Sequence, residues 1–261
     1  MQSRVYKASG IVLRRSNLGE KDRLVTFLTK ERGKVRAVAK GARNPKSRLA
    51  GATELFNFAK LLLAKGRNFD IITQCEVMAN HGSLAEDLNR MTLASGFVEV
   101  ADALVEEGQP QSRLFFDLAT AIEGITHSEN PVSAARCFEL HAMAAYGYAP
   151  VLDRCVSCGM AKAGRVALSP IAGGVVCESC FGQATDGTAI TPTALRALRA
   201  LSRISVEDAC NVVLPPQVIA ELARVWTLFL ENRLERNLRS AQFARSVASI
   251  QTSDLRPQTS D

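Results

Sequence analysis

No stretch of this 261-residue chain approaches the roughly 18 consecutive apolar residues that a membrane-spanning helix needs, and the run LLLA at 61–64 is far too short. The opening residues, MQSRVYKASGIVLRR, lack the charged-then-apolar pattern of a secretory signal. The sequence holds no G-x-x-x-x-G-K-[ST], no H-E-x-x-H and no dinucleotide fingerprint after a strand, so the usual cradles for nucleotide phosphates and catalytic metal are missing. Histidine is scarce, at three, and aromatic residues make up only 6%. His81 and His127 read as turn residues and His141 as a helix residue, places that suit structure better than catalysis. These deficits predict a cytoplasmic chain that binds and does not catalyse. At 47% apolar residues it can still bury a substantial core.

What is present is a lopsided charge. Residues 1–80 hold seventeen Lys/Arg against six Asp/Glu, a net of +11, while residues 81–261 hold fifteen against twenty, a net of −5. Arg32, Lys34, Arg36, Lys40, Arg43, Lys46 and Arg48 fall between Glu31 and Glu54 with no acid among them. A field that one-sided attracts polyanions, and the phosphate backbone is the commonest polyanion in a cell. Solubility alone is the plainer explanation, but it does not require excluding acids from a whole segment.

Residues 5–78 read as about five short strands: Val5 to Leu13, LVTFLT at 24–29, VRAVA at 35–39, FNFAKLLLA at 56–64 and FDIITQCEVM at 69–78. A long basic loop, KGARNPKSRLAG at 40–51, interrupts them. Five strands with an open charged face suggest a small OB-fold barrel. After Met78 the period turns helical, with Ser83 and Glu86 as a capping box. Further helices run through 114–125, from Asn130-Pro131, from Thr191-Pro192 and from Pro215-Pro216. The predicted fold is α+β. It comprises a nucleic-acid-binding barrel (1–80), an all-α domain (81–150 and 188–245), an inserted four-cysteine finger (151–187) and a frayed tail (246–261).

Seven cysteines in a reducing compartment point to metal before disulfides. Cys155-x-x-Cys158 and Cys177-x-x-Cys180 are two knuckles whose four thiolates suit one tetrahedral zinc ion. Four protein ligands leave no open position, so the zinc is expected to be structural. Cys75, Cys137 and Cys210 lie on apolar stretches and read as small core residues. His127-Ser-Glu129 followed by Cys155-x-x-Cys158 mimics a zinc nucleobase deaminase. Arg154 stands where that signature has proline, and the second cysteine pair would have no role.

The stretch GEKDRLVTFLTKERGKVRAVAKGARNPKSRLAGATELF resembles the amino-terminal domain of the bacterial recombination mediator RecO family. So do RCFELHAMAAYGYAP at 136–150, the cysteine pairs with GGVVCESC, and LENRLERNLRSAQF near the end. The resemblance spans roughly residues 5–245 in the family's order. It implies binding of single- and double-stranded DNA and annealing of complementary strands without ATP. It also implies partnership with RecR, capture of the acidic tail of single-stranded DNA-binding protein, and help in loading RecA. The expected location is the nucleoid-associated cytoplasm, and no enzymatic activity is implied.

On this reading Arg14, Arg15, Lys21, Arg23, Lys34, Arg36, Lys40, Arg43, Lys46 and Arg48 form the DNA surface. About seven phosphate contacts would give a log–log salt slope on the order of −5 to −6. Arg136, in R-x-F-E-L, is the residue the resemblance assigns to the partner tail, against the plainer role of a helix-surface arginine pairing with Glu139 or Glu99. The alternative function is an RNA-binding scaffold built from an OB-fold and a zinc ribbon.

Overall fold

A computed structural model describes residues 4–128, 130–160, 164–244 and 246. Strands β1 (Val5–Leu18), β2 (Asp22–Thr29), β3 (Gly33–Ala39), β4 (Phe58–Ala64) and β5 (Asp70–Ala79) close into a barrel of order β1-β2-β3-β5-β4. The barrel closes through a short parallel pairing of Ala37 with Asp70 and Val38 with Ile71. The alternation seen in VRAVA becomes real geometry here. Val35, Ala37 and Ala39 point inward, and Lys34, Arg36 and Val38 point out. β1 is long enough to serve two neighbours because its register shifts between Val12 and Arg14. Its first half pairs with β4 and its second with β2.

The basic segment 40–51, expected as a loop, ends in a short helix, α1 (Arg48–Ala52), whose first turn is capped by the Ser47 side chain. The loop itself is tied down. Arg43 N–H donates to Lys21 O at 3.0 Å, and Gly41 N–H donates to the Asp22 carboxylate at 2.8 Å.

The helical domain comprises α2 (Leu88–Leu104), α3 (Ser112–His127), α4 (Pro131–Ala145), α5 (Pro192–Leu201), α6 (Val206–Ala209) and α7 (Pro216–Arg233). The Ser83–Glu86 capping box does not form, because Gly82–Glu86 is a 3-10 turn. Asp87 caps α2 instead, accepting from Asn89 and Arg90 N–H. Between α4 and α5 lie β6 (Val166–Ser169), β7 (Gly174–Cys177) and β8 (Thr188–Ile190), a sheet of order β7-β6-β8. The expected tail, 246–261, lies outside the described residues apart from Ser246. No described helix is long and apolar enough to cross a membrane.

Two large apolar cores organise the described residues, and a small third one gathers Cys155, Val176 and Cys177. One fills the barrel with Val12, Val25, Phe27, Ala37, Leu61 and Leu63. The other is continuous across the remaining elements: Ile11, Leu13, Leu28 and Phe56, from the barrel's outer side, join Phe97, Phe138, Trp226 and the small sheet's Leu168 and Val175. Barrel and helices therefore share buried surface and have one fixed relation.

Gly33 marks the tightest point of that seam. Its φ is +64°, and a Cβ there would lie 2.1 Å from Gln109 O. Replacing Gly33 by Ala adds both backbone strain and a collision with main chain that cannot retreat. It should destabilise the chain by about 2 kcal/mol or more, read as a lowered denaturant midpoint.

Candidate nucleic-acid interface and thiol cluster

The ten basic residues singled out from sequence divide into two groups. Five meet carboxylates. Arg15 and Arg23 share Glu54, the second at 3.5 Å. Lys34 reaches Asp102 of α2 at 3.0 Å and is nearly buried, and Arg14 lies 3.7 Å from the same carboxylate. Arg36 pairs with Glu107 at 2.5 Å and also covers the Phe69 ring. The other five, Lys21, Lys40, Arg43, Lys46 and Arg48, are exposed and make no ion pair among the described residues.

The fold gathers part of that free group at one end of the barrel. The bond from Arg43 N–H to Lys21 O joins the β1–β2 turn to the segment after β3, and the Arg43 guanidinium donates to Gly19 O at 2.6 Å. Lys40 follows the last residue of β3, and Lys46 and Arg48 flank the Ser47 cap. The result is a ridge of cations on an anchored backbone.

Stacking platforms are few in the barrel. Phe27 and Phe56 are buried, and Phe58 packs edge-on against Phe115 of α3. Tyr6 has Arg32 over its ring and its hydroxyl on Asp70. The aromatic faces are thus spent on structure, and the ridge can offer charge but little base stacking.

Arg136 is no helix-surface residue. It is 8% exposed, and its Nη1 lies 2.9 Å from Glu139 Oε2, which also accepts from Trp226 Nε1 at 2.7 Å. Burial raises the Glu139 carboxyl, and the Arg136 guanidinium and the Trp226 N–H oppose that rise. Glu99, the other acid considered, is taken by Ser240, which donates from both N and Oγ.

Beside the pair lies a mainly apolar groove of about 420 Å³, lined among others by Leu93, Arg136, Ile219, Arg224, Leu228 and Leu238. Sequence reasoning missed its α7 wall, though the single tryptophan was the available signal. A buried indole N–H needs an acceptor, and here the Glu139 carboxylate on the facing α4 supplies it. Glu139→Ala would strand the buried Arg136 charge and should cost about 3–5 kcal/mol in chemical denaturation.

The two cysteine pairs do meet. The Sγ atoms of Cys155, Cys158, Cys177 and Cys180 all lie within 4.8 Å of one another, with Cys158 and Cys177 at 3.8 Å. Gly159, at φ +74°, turns the first knuckle. Burial works against a Cys155 thiolate, but N–H donors from Cys177, Cys158 and Ser157 outweigh it and bring the thiol to about 6. A hydrogen bond to Cys177 holds the Cys180 thiol up, at about 12. Four thiols this close could hold one metal ion, and with all four bound no position is left for substrate. Cys137 is buried, and Cys75 and Cys210 are partly so.

The deaminase mimic does not assemble. His127 ends α3 with its Nε2 3.2 Å from Glu123 and is absent from the thiol group, and Glu129 lies outside the described residues.

Residues 1–81 match the family model described as Recombination protein O N terminal, and residues 85–242 match Recombination protein O C terminal. A DNA repair protein RecO of Symbiobacterium thermophilum is 34% identical over 249 residues, spanning 94% of this chain and 98% of that protein. The namesake proteins of Roseiflexus sp. and Bifidobacterium longum are 36% and 37% identical. They cover 96% and 93% of this chain, and 88% and 99% of their own lengths. A closed five-stranded barrel seated on a helical domain, a four-thiol cluster and matches along nearly the whole length agree: the chain belongs to the RecO family of DNA repair proteins.

Proposed function

We propose that this chain is a recombination mediator that binds single- and double-stranded DNA and anneals complementary strands without nucleotide hydrolysis. One observation carries the reading: Lys21, Lys40, Arg43, Lys46 and Arg48 are exposed, make no ion pair among the described residues, and lie on the β1–β2 turn and the segment after β3, which meet at one end of a closed barrel. Annealing brings two polyanions together, so it needs neutralisation that ignores sequence. The paired group, Arg14, Arg15, Arg23, Lys34 and Arg36, lines the flank of that path and serves mainly to hold the barrel against α1 and α2. Lys34 in particular is committed to Asp102.

Five free cations imply a log–log salt slope of about −3.5 on single strands, shallower than ten unpaired ones would give. Replacing Arg43, Lys46 and Arg48 by Ala should lower the slope's magnitude by about 2 and weaken all sequences alike. A slope unchanged by the triple substitution, in fluorescence-anisotropy titrations with short oligonucleotides, would remove the ridge from the contact. An RNA-binding scaffold is the second reading. Equal affinity for RNA and DNA strands of one length, with no annealing of complementary DNA, would favour it.

The groove beside Arg136 is the proposed seat for the acidic carboxy-terminal tail of single-stranded DNA-binding protein. It offers apolar walls, the guanidinium of Arg136 and the exposed Arg224, with Glu139 the one acid lining it among the described residues. A tail peptide should lose at least about tenfold in affinity in Arg136→Ala, since a charge-assisted contact is worth more than about 1.4 kcal/mol. Arg224→Glu provides the same test without disturbing the buried pair. Unchanged affinity in both variants excludes the groove.

With these functions come the assignments to RecR partnership, RecA loading and a nucleoid-associated location. The ion we assign to the four thiols is zinc. Four sulfurs about 2.3 Å from one tetrahedral ion stand about 3.8 Å apart, the spacing of Cys158 and Cys177. Its role is to hold the two knuckles together beneath β6 and β7.

A further inference from the structure

The thiol cluster is ringed by arginines on its α5 side. Arg154 directly precedes Cys155, is exposed, and has no ion-pair partner among the described residues. Asp153, the residue before it, is shared by Arg199 at 3.5 Å and Arg203 at 2.9 Å, both from α5 and the turn that follows it. Arg196 lies one helical turn before Arg199, donates to the Thr193 hydroxyl at 3.1 Å and makes no ion pair among the described residues. Arg165, at the start of the strand that leads to β7, is exposed and loosely paired with Glu178 at 3.9 Å. Five guanidinium groups therefore surround two carboxylates.

Arg199 is different from the rest. Its Nε donates to Leu152 O at 2.7 Å, which fastens the first knuckle to the helix. The remaining four are exposed and point no charge into the core. α5 buries Ala194, Leu195, Leu198 and Leu201, so Arg196 and Arg203 are left on its solvent side.

We propose that Arg154, Arg165, Arg196 and Arg203 form a second nucleic-acid surface, which holds the phosphate backbone of the incoming complementary strand. The proposal rests on the annealing reading and deepens it. The first surface is built on barrel turns, and the barrel meets the helical domain through α2 and α3. α5 packs on α4 and α7, so the two charged regions belong to different parts of the molecule. One strand on each surface raises the local concentration of its complement without stacking two polyanions in a single groove. Guanidinium suits the task because it grips phosphate by two parallel bonds and stays charged.

The test uses the full chain loaded with metal and a pair of complementary oligonucleotides. In Arg154→Ala/Arg196→Ala/Arg203→Ala, affinity for the first strand should stay within about twofold while the annealing rate falls about tenfold. The same three positions changed to Lys should recover most of the rate, which a purely structural role for the arginines would not allow. Should the triple variant fail to fold, Arg154→Glu/Arg196→Glu carries the test, because neither side chain holds a carboxylate in the free chain. An unchanged annealing rate overturns the proposal, and so does an equal loss in first-strand affinity and rate. A wild-type chain that neither binds nor anneals instead overturns the barrel reading on which it rests.

Discussion

The seam between barrel and helices sets the distribution of charge on which this molecule depends. Ile11, Leu13, Leu28 and Phe56 turn one side of the barrel into core, and that burial draws α2 and the segment after it against β1 and β3. The approach delivers Asp102 and Glu107 to Lys34, Arg14 and Arg36. A helical domain with net negative charge thus neutralises the near side of a strongly basic barrel. At the far end, where the β1–β2 turn meets the segment after β3, the Asp22 carboxylate is taken by a backbone N–H and no described acid pairs with Lys21, Lys40, Arg43, Lys46 or Arg48. Charge selectivity at the barrel arises from packing as much as from composition.

Sequence periodicity was a good guide where one residue's environment is set by its own strand or helix. β3 alternates because one face is inside the barrel, and the Pro131 and Pro192 helix starts follow from a backbone that needs no donor at the first position. The cysteine pairs were legible for a similar reason: a two-residue gap fixes the knuckle, and only the meeting of two knuckles is left to the fold. What failed was reasoning that needed a partner from elsewhere. Ser83 and Glu86 have the spacing of a cap, but Asp87 lies one turn later with its carboxylate on two N–H groups, and the longer helix takes the better acceptor. The pairing of Arg15 and Arg23 with Glu54, and of Lys34 with Asp102, spans separations that no local pattern encodes.

Arg136 shows how burial changes the meaning of a residue. On an open helix face an i,i+3 pair with Glu139 would contribute little. Here both side chains are nearly enclosed, Trp226 holds the carboxylate from across the core, and Trp226 itself stacks on Phe229. Breaking either member would leave a charge in an apolar setting, and the Trp226–Glu139 bond is the contact of this network that ties α7 to α4. Arg136 and Glu139 also line the groove beside it. The same network that holds the helical domain together therefore shapes the surface proposed for the partner tail.

Geometry alone could suggest chemistry elsewhere in the domain, because Cys137, His141 and Asp117 line up in the order of a nucleophile, a base and an orienting acid. Cys137 Sγ is 3.9 Å from His141 Nε2, and His141 Nδ1 is 3.9 Å from Asp117. The environment of each group argues against that use. The Cys137 thiol is fully buried, faces the Ile204 carbonyl at 3.5 Å, and is pushed by burial up to about 12. Nucleophilic cysteines need the reverse, an exposed thiolate stabilised by a positive neighbour. His141 is lowered by burial, so it supplies no cation to do this near neutral pH. Asp117 raises the thiol further and also contacts Arg113 at 3.3 Å. An array of reactive residue types is here converted by desolvation into packing.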